Sequence, residues 1–473
     1  MKKLLLILSF LSLAANAQDY WTEVGTNQPA AGNRFGTISF ADASNVWANV
    51  SCGNTVAGVT CALIRRYARS TDGGSTWITA PVDLGPSSTS LTIGTIHGVS
   101  ATEAYASVFP SGAGAIGGIW KTTNGGTSWT RQSTASYNFP QSFANLVHFW
   151  GTSNIGVTMG DPNATGFEVY RTTNGGTNWV AVTGLPPTLG IDEYGYSTNY
   201  ATFGDSIWIP TAYGRLLKSN DRGLTWTISQ TPLTDFGAQV NGTDTGEVAF
   251  SDANNGLILK TSSLEPDELF STSDGGNTWT PVASYTGVVR NFSITAITGI
   301  PNAYMTLGQE YPESEDPVTA EIIPAGPRGS SFTLDGGLTW TNINENPDLN
   351  FVDGGVCTFF SPTVGLASGF ATANPAVGGV FKWNGRDLLS NDTFSNDKAF
   401  KASPNPTTGL VALTGKNITN VIVTDVLGKQ ISNTNYTTLN EVNVDMTNFN
   451  SGMYMVKVTN TDGNTSTLKV VRQ

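Results

Sequence analysis

A short apolar segment, a polar turn and a second apolar segment recur seven times along the chain. This pattern is typical of two strands joined in a hairpin. The copies follow one another at roughly 50-residue intervals, a period that indicates a β-propeller or a related array. The seven copies occupy residues 37–47, 95–105, 146–157, 200–208, 248–257, 295–304 and 357–366.

A second repeat, Ser-x-Asp-x-Gly-x-Thr-Trp or a close variant, occurs six times in phase with the hairpins. Its Asp or Asn accepts backbone hydrogen bonds two or three residues on, its Gly permits positive φ, and its Trp begins the next strand. Two copies carry Asn, which a turn acceptor tolerates and a catalytic carboxylate does not. We therefore predict that these side chains stabilise turns: Asp72, Asn124, Asn174, Asp221, Asp274 and Asp335.

Seven hairpins but only six turns leave one blade incomplete, and the two ends of the repeat region supply the missing strand. Residues 20–24 look like the strand that follows such a turn, and residues 380–385 look like the strand that precedes one. Pairing the two would hide both open edges of the array. We predict an all-β fold, a seven-bladed propeller of four-stranded blades over residues 18–386.

The first residues indicate export. Residues 1–17 combine a basic start, an apolar stretch and the small-residue pattern Ala15-Asn16-Ala17, which predicts a signal peptide. The residue after the cleavage site is Gln18 rather than Cys, so a lipoprotein is not indicated. No later segment reaches the roughly 20 apolar residues of a membrane span. Residues 387–400 are polar and unpatterned, as in a linker.

Residues 401–473 contain several apolar strands separated by Gly turns, a pattern that predicts a small β-sandwich. Segments 403–409, 425–429, 450–456 and 468–473 resemble the type A C-terminal sorting domain of the type IX secretion system. The resemblance implies a Bacteroidetes-type bacterium, recognition by the secretion machinery and its C-terminal signal peptidase, and then release or surface anchoring. The alternative is an ordinary carbohydrate-binding or immunoglobulin-like domain.

Charge and cysteine content narrow the function further. The net charge of −12 and the pI near 4.6 disfavour nucleic acid and anionic membranes as partners. Cys52 and Cys61 flank a short Gly-rich stretch and are candidates for a disulfide, while Cys357 is expected to be a buried free thiol. No metal or cofactor pattern is present. His97 and His148 share one register with Ser39 in adjacent blades, which favours a packing position.

The six turns resemble the Asp-box, or BNR, repeats of the sialidase-like superfamily, and the seven-blade pattern is most similar to its photosystem II assembly-factor branch. The superfamily also includes sialidases, xyloglucanases and sortilin-type receptors. The turn is structural in all of them, so the fold does not assign a function.

Propeller topology indicates where a ligand is expected. Connections between strands 2 and 3, and between blades, lie on the face opposite the Asp-box turns, which we call the loop face. Its longest loops are 185–199, 231–247, 261–269 and 310–329, where aromatic rings accompany charged groups. The candidate ligand-binding residues are Asp192, Glu193, Tyr194, Tyr196, Glu310, Tyr311 and Arg328.

Three classes of function compete. The favoured one is a secreted or surface-attached, non-catalytic binding or adhesion protein for glycan or protein ligands; a structural surface component is another. The third is a glycoside hydrolase. A sialidase needs three arginines, for which Arg34, Arg290 and Arg328 are available, but the family's Arg-Ile-Pro context is absent. A xyloglucanase-like enzyme needs two carboxyls roughly 6.5–9.5 Å apart, drawn from Asp161, Asp192, Asp235, Glu310 and Asp353.

Overall fold

The structure is a computed structural model in which the chain forms two compact units, Met1–Asp387 and Leu388–Gln473. Among the residues that it describes, no helix is long and apolar enough to cross a membrane. The predicted signal peptide, Cys61, Tyr311 and Asp353 lie outside the described residues, as does the side chain of Cys52. The described residues are 20–27, 32–52, 64–86, 88–111, 115–137, 144–238, 244–262, 267–310, 314–315, 322–323, 326–345, 356–371, 378–385, 388, 400–426, 429–461 and 465–473.

The first unit consists of seven four-stranded antiparallel sheets, which confirms the seven-bladed propeller. The chain enters with strand β1 (Trp21–Gly25) and then forms blades 1 to 3, in each of which consecutive strands pair with one another. These strands are β2 (Asn33–Phe40), β3 (Val46–Cys52), β4 (Arg66–Ser70) and β5 (Ile78–Pro81); β6 (Leu91–Gly98), β7 (Ala104–Pro110), β8 (Gly118–Thr122) and β9 (Thr130–Gln132), preceded by the 3-10 helix Ser88–Ser90; and β10 (Ala144–Phe149), β11 (Gly156–Asn163), β12 (Gly166–Thr172) and β13 (Val180–Ala181).

Blades 4 to 6 repeat the arrangement, and blade 6 carries a small additional hairpin between its second and third strands. The strands are β14 (Ala201–Phe203), β15 (Ser206–Pro210), β16 (Arg215–Ser219) and β17 (Thr227–Gln230); β18 (Asp244–Phe250), β19 (Gly256–Ser262), β20 (Glu268–Thr272) and β21 (Thr280–Pro281); and β22 (Ser293–Ala296), β23 (Tyr304–Gln309), the hairpin β24 (Ser314–Glu315) and β25 (Ile322–Ile323), β26 (Arg328–Thr333) and β27 (Thr341–Glu345).

Blade 7 joins the two ends of the propeller. It contains β28 (Cys357–Ser361), β29 (Val364–Ala371), β30 (Gly378–Trp383) and, as its fourth strand, β1. Trp21 pairs with Trp383 and Val24 with Val380 in the antiparallel register. The predicted closure of the ring is therefore confirmed.

The hydrophobic core lies between neighbouring blades. Trp47 of blade 1 is completely buried and packs in one cluster with Trp120 and Trp129 of blade 2. The rings of Trp47 and Trp129 are 6.3 Å apart between centroids and nearly perpendicular, an arrangement that aromatic pairs prefer. The Trp that ends each Asp-box repeat thus belongs to an interface between blades.

The Asp-box turns have one hydrogen-bond pattern. In the first turn, Asp72 Oδ1 accepts from Thr76 N at 2.8 Å, four residues on. The expected bond from the N–H three residues on is present in the turns with the acceptors Asp221, Asp274 and Asp335. Ser70 Oγ accepts from Gly74 N, and Trp77 Nε1 donates to Gly74 O. All six turns contain the bond from the backbone N–H four residues on, with the acceptors Asp72, Asn124, Asn174, Asp221, Asp274 and Asp335.

A basic side chain on the third strand connects its blade to the Asp-box turn of the next blade. Lys121 Nζ lies 5.1 Å from the centre of the Tyr105 ring in its own blade and donates to Gly175 O of the following turn at 3.0 Å. A cation in this position is attracted both by the face of the ring and by the carbonyl oxygen. The same arrangement joins Arg69 over Trp47 to Gly125 O, and Lys218 over Trp208 to Gly275 O.

The second unit is one five-stranded sheet that folds around its own core. Register shifts within the second strand, between Thr414 and Asn420, bring Val411 and Val421 into the same buried cluster, giving the expected small sandwich. Asn405 bonds to Lys469 O and Val471 N along the edge of the last strand. The strands are β31 (Phe400–Ser403), β32 (Leu410–Asp425), β33 (Gln430–Asp445), β34 (Gly452–Asn460) and β35 (Thr465–Arg472).

Candidate functional site

The loop between β13 and β14 is held by a buried ion pair. The carboxylate of Glu193 is completely buried and accepts hydrogen bonds from both Nε and Nη2 of Arg215. It also accepts from Thr211 Oγ1 at 3.0 Å and from Leu189 N at 2.6 Å. A buried carboxylate is stable only when its oxygens are fully bonded, as these are. Glu193, a candidate ligand residue by sequence, is thus committed to holding the loop.

Tyr194 and Tyr196 pack against each other at the base of this loop. Their ring centroids are 5.4 Å apart at 70°, and Tyr196 Oη donates to Asp235 Oδ1 at 2.7 Å. Asp235 is itself buried and accepts from Gly237 N. Burial and the bond to Asp235 raise the pKa of Tyr196. The two rings therefore pack edge to face, and both residues remain partly exposed.

The exposed part of the loop is aliphatic. Leu189 is 64% exposed and Ile191 is 85% exposed. The neighbouring Asp192 accepts a hydrogen bond at 2.9 Å from the hydroxyl of Tyr213, which lies in the turn between β15 and β16. A side chain at Gly190 would begin 3.0 Å from that hydroxyl, so the loop tip lies against Tyr213. We call Leu189, Ile191, Asp192 and Tyr213 the loop-face patch.

A half-buried carboxyl lies near this patch. Asp161, on β11, accepts from Asn145 Nδ2 at 2.6 Å, and burial raises the pKa of its carboxyl. Burial raises the pKa of Tyr194, the hydrogen bond with Tyr196 lowers it, and the charges of three carboxylates raise it: Asp235, Asp161 and Asp192. Three of the sequence-derived carboxyl candidates are therefore grouped around one tyrosine.

The candidates of blade 6 belong to a different part of the loop face. Arg328 stacks its guanidinium over the Phe292 ring at 5.6 Å, and Glu310 N bonds to Pro327 O. Within the described residues, no bond links Glu310 or Arg328 to the loop-face patch. Arg290 is completely buried and donates to Pro327 O and Asn342 Oδ1, so its guanidinium is used inside the blade.

The first strands of all seven blades surround a central cavity of about 630 Å³. Ser39, His97, His148 and Tyr200 follow one another around its wall. Ser39 Oγ lies 3.5 Å from His97 Nδ1, and the ring centroid of His148 lies 4.7 Å from that of His97 and 5.8 Å from that of Tyr200. The shared register thus places these side chains in contact from blade to blade. Burial lowers the pKa of both histidines, that of His97 to about 4, so both rings are neutral at pH 7.

Cys357 also lines this cavity at the start of β28, as a buried free thiol. Burial and the nearby Glu247 raise its pKa well above the usual value. The thiol is therefore protonated at neutral pH and unreactive as a nucleophile.

Residues 401–473 match the model of the family described as "Secretion system C-terminal sorting domain". The second unit therefore carries the sorting domain that the sequence motifs indicated, and this domain directs a protein to the cell surface or the extracellular space. No protein of curated function shows significant similarity to the chain.

Solved propellers are similar to the chain in structure. YCF48 from Cyanidioschyzon merolae shares 17% identity at a TM-score of 0.50, with 77% of this chain and 99% of that chain covered. A structure of YCF48 bound to D1 peptide shares 16% identity at a TM-score of 0.49, covering 78% and 98%. A GH74 xyloglucanase from Xanthomonas campestris shares 12% identity at 0.40, covering 94% and 80%. At such identities the similarity concerns the fold alone.

Proposed function

We propose that this protein is an exported, non-catalytic binding protein that holds a protein or glycan ligand on the loop face of its propeller. The proposal rests on one observation, which is that the loop between β13 and β14 is held in place. The buried Glu193–Arg215 pair fixes a loop whose tip exposes Leu189 and Ile191. Fixing a loop before binding lowers the entropy lost when a ligand binds.

The chemistry of the patch favours a protein ligand over a glycan. Sugars stack on open aromatic faces, whereas Tyr194 and Tyr196 are only partly exposed, pack edge to face, and hold the Tyr196 hydroxyl in a bond to Asp235. Exposed aliphatic side chains beside a carboxylate suit the apolar centre and polar rim of a protein interface. The sorting domain supports an extracellular ligand, because it directs the chain out of the cell.

A photo-crosslinking amino acid at Ile191 tests the proposal. The matched control carries the same amino acid at Ile78, which is 64% exposed on the outer strand β5, and Ile78→Ser is the matching control for affinity. On intact cells, we expect a specific crosslinked adduct at the cell surface only from position 191. The purified crosslinking partner should bind the wild-type chain more tightly than it binds the Ile191→Ser variant. Equal labelling from both positions, or equal affinity of both serine variants, would contradict a loop-face site.

A glycoside hydrolase is the second candidate, and the raised pKa of Asp161 is the observation that favours it. Burial that raises the pKa of a carboxyl is the kind of environment that a general acid requires. A screen of the purified protein against sialosides and β-glucans tests this class. Turnover that Asp161→Asn abolishes would establish an enzyme, whereas the binding proposal expects none. A structural surface component would show neither ligand nor turnover.

A further inference from the structure

The central cavity extends toward the face of the propeller that is opposite the loop face. Its wall includes Ala41, Gly151 and Gly204, which stand in the turns between first and second strands. First and third strands run in the same direction in each antiparallel blade, so these turns share a face with the Asp boxes. The cavity therefore extends toward the Asp-box face.

Aromatic rings stand at the rim of the cavity. Phe203, the last residue of β14, and Phe360 of β28 both line it and are each 39% exposed. Phe40 lies behind Phe360, with ring centroids 5.9 Å apart. Exposed aromatic faces at the mouth of a cavity provide stacking surfaces for the apolar face of a sugar ring.

Two residues of the cavity wall, His148 and Trp150, carry a buried ring nitrogen without a partner in the described part of the chain. His148 is 8% exposed and Trp150 is 7% exposed, and both line the cavity. Neither His148 Nδ1 nor Trp150 Nε1 makes a hydrogen bond to a described residue. Their rings are perpendicular, with centroids 4.9 Å apart. Both nitrogens are closed to solvent, so a molecule bound in the cavity does not reach them without a shift of the rings.

The charge of the cavity restricts that molecule. The described lining residues include no Lys, Arg or Asp, and one carboxylate, Glu247, accepts from Ile294 N at 3.1 Å. The two histidines are neutral because burial lowers their pKa, and burial raises the pKa of Tyr200 to about 12, so its hydroxyl stays protonated. An anion would have no counter-charge in such a site.

The volume fits a small ligand. About 630 Å³ lies within the usual range of small-molecule sites, roughly 300–1,000 Å³. Neutral donors and acceptors inside, aromatic rings at the rim and no cation together match an uncharged polyhydroxylated ring. We propose that the cavity is a binding site for a neutral saccharide of one or two units, which stacks on Phe203 and Phe360 and bonds to the Tyr200 hydroxyl.

Calorimetric titration of the full-length mature chain tests this site. The probes are D-glucose, D-galactose, cellobiose and lactose, with D-glucuronate as the charged counterpart. We expect a neutral sugar to bind and its charged counterpart to bind at least about tenfold more weakly. Tyr200→Phe, which removes one hydroxyl, and Phe203→Ser at the exposed rim should each weaken binding about tenfold.

Ile191→Ser is the matched control, because this residue lies in the loop-face patch on the opposite face. Its affinity for the sugar should equal that of the wild type, whatever its effect on a loop-face ligand. The proposal is overturned if none of the four neutral sugars binds the folded protein, if the charged counterpart binds equally well, or if both cavity variants retain full affinity. Loss of sugar binding in Ile191→Ser would place the sugar on the loop face and equally overturn it.

Discussion

The Trp21 indole packs edge-on against the Trp383 indole, with ring centroids 5.0 Å apart at 71°, although the two residues begin and end the propeller sequence. Phe359 completes the cluster, 6.1 Å from Trp21 and 5.6 Å from Trp383. Trp21 Nε1 also donates to Ser330 Oγ of blade 6 at 2.9 Å. One residue of the first strand thus connects blade 7 to its neighbour.

Trp21→Ala should lower the free energy of unfolding by about 3–5 kcal/mol, because it empties a buried aromatic site. Deletion of residues 18–26 should lower the melting temperature in a single cooperative transition, since it removes the whole strand. Denaturant titration measures the first and calorimetry the second. Ile78→Ala, at an exposed position, should change stability by less than about 0.5 kcal/mol. A truncated protein that melts like the intact one would refute closure by β1.

Asp72→Ala should destabilise the protein by about 1–2 kcal/mol, because it leaves the Thr76 N–H without its acceptor. Asp72→Asn should cost less, since Asn124 and Asn174 accept the same bond in their own turns. Urea unfolding of both variants measures the difference. If the Asn variant is as unstable as the Ala variant, the carboxylate charge rather than the acceptor matters.

Stability should fall as the pH drops from about 6.5 to about 4, because burial lowers the pKa of His97 to about 4 in the folded state. The unfolded chain, with a usual pKa near 6.5, binds the proton first, so acid favours unfolding; above this window the contribution is complete. The shift corresponds to on the order of 3 kcal/mol. His97→Gln should flatten this part of the stability curve measured by urea titration at several pH values. An unchanged slope would contradict the burial of a neutral ring.

Arg215→Met should destabilise the chain by about 3–5 kcal/mol, because it leaves the buried Glu193 carboxylate without its cation. The matched control is Arg222→Met, which breaks the exposed pair with Asp205 and should cost at most about 1 kcal/mol. Chemical denaturation gives both values, and limited proteolysis should cut within residues 185–199 only in the first variant. Equal stability of the two variants would show that the loop is not held by this pair.

A fluorescent protein that carries residues 395–473 and a signal peptide should leave the periplasm of a type IX host, and the same protein with the signal peptide alone should remain there. The reason is the match of residues 401–473 to the sorting domain. Fluorescence in the periplasmic and external fractions measures the outcome. Retention of both fusions in the periplasm would show that this unit is insufficient for export.

The fold was predictable because its signals are local and repeated. Each Asp-box turn bonds within itself, so its eight residues suffice to recognise it, and the strand around Trp21 was identified by its likeness to the strand after such a turn. The register of His97 and His148 indicated packing, and the structure places the two rings in contact.

Features that depend on partners distant in sequence were not predictable in the same way. Lys121 stands directly before its own Asp box, yet its acceptor Gly175 belongs to the next blade. Glu193 has the sequence context of an exposed loop residue, and only the approach of Arg215 turns it into a buried anchor. Leu189 and Tyr213 were missed because exposure is a property of the folded surface rather than of residue type.

The pairing of β1 with β30 also sets an order of events during synthesis. The strand that completes the ring is made first, and its partner, Gly378–Trp383, is made after all the other propeller strands. Until then β1 has an unpaired edge, which is prone to pairing with the wrong strand. The sorting unit follows almost immediately, so the ring cannot close until nearly all of the chain before the sorting unit has been made.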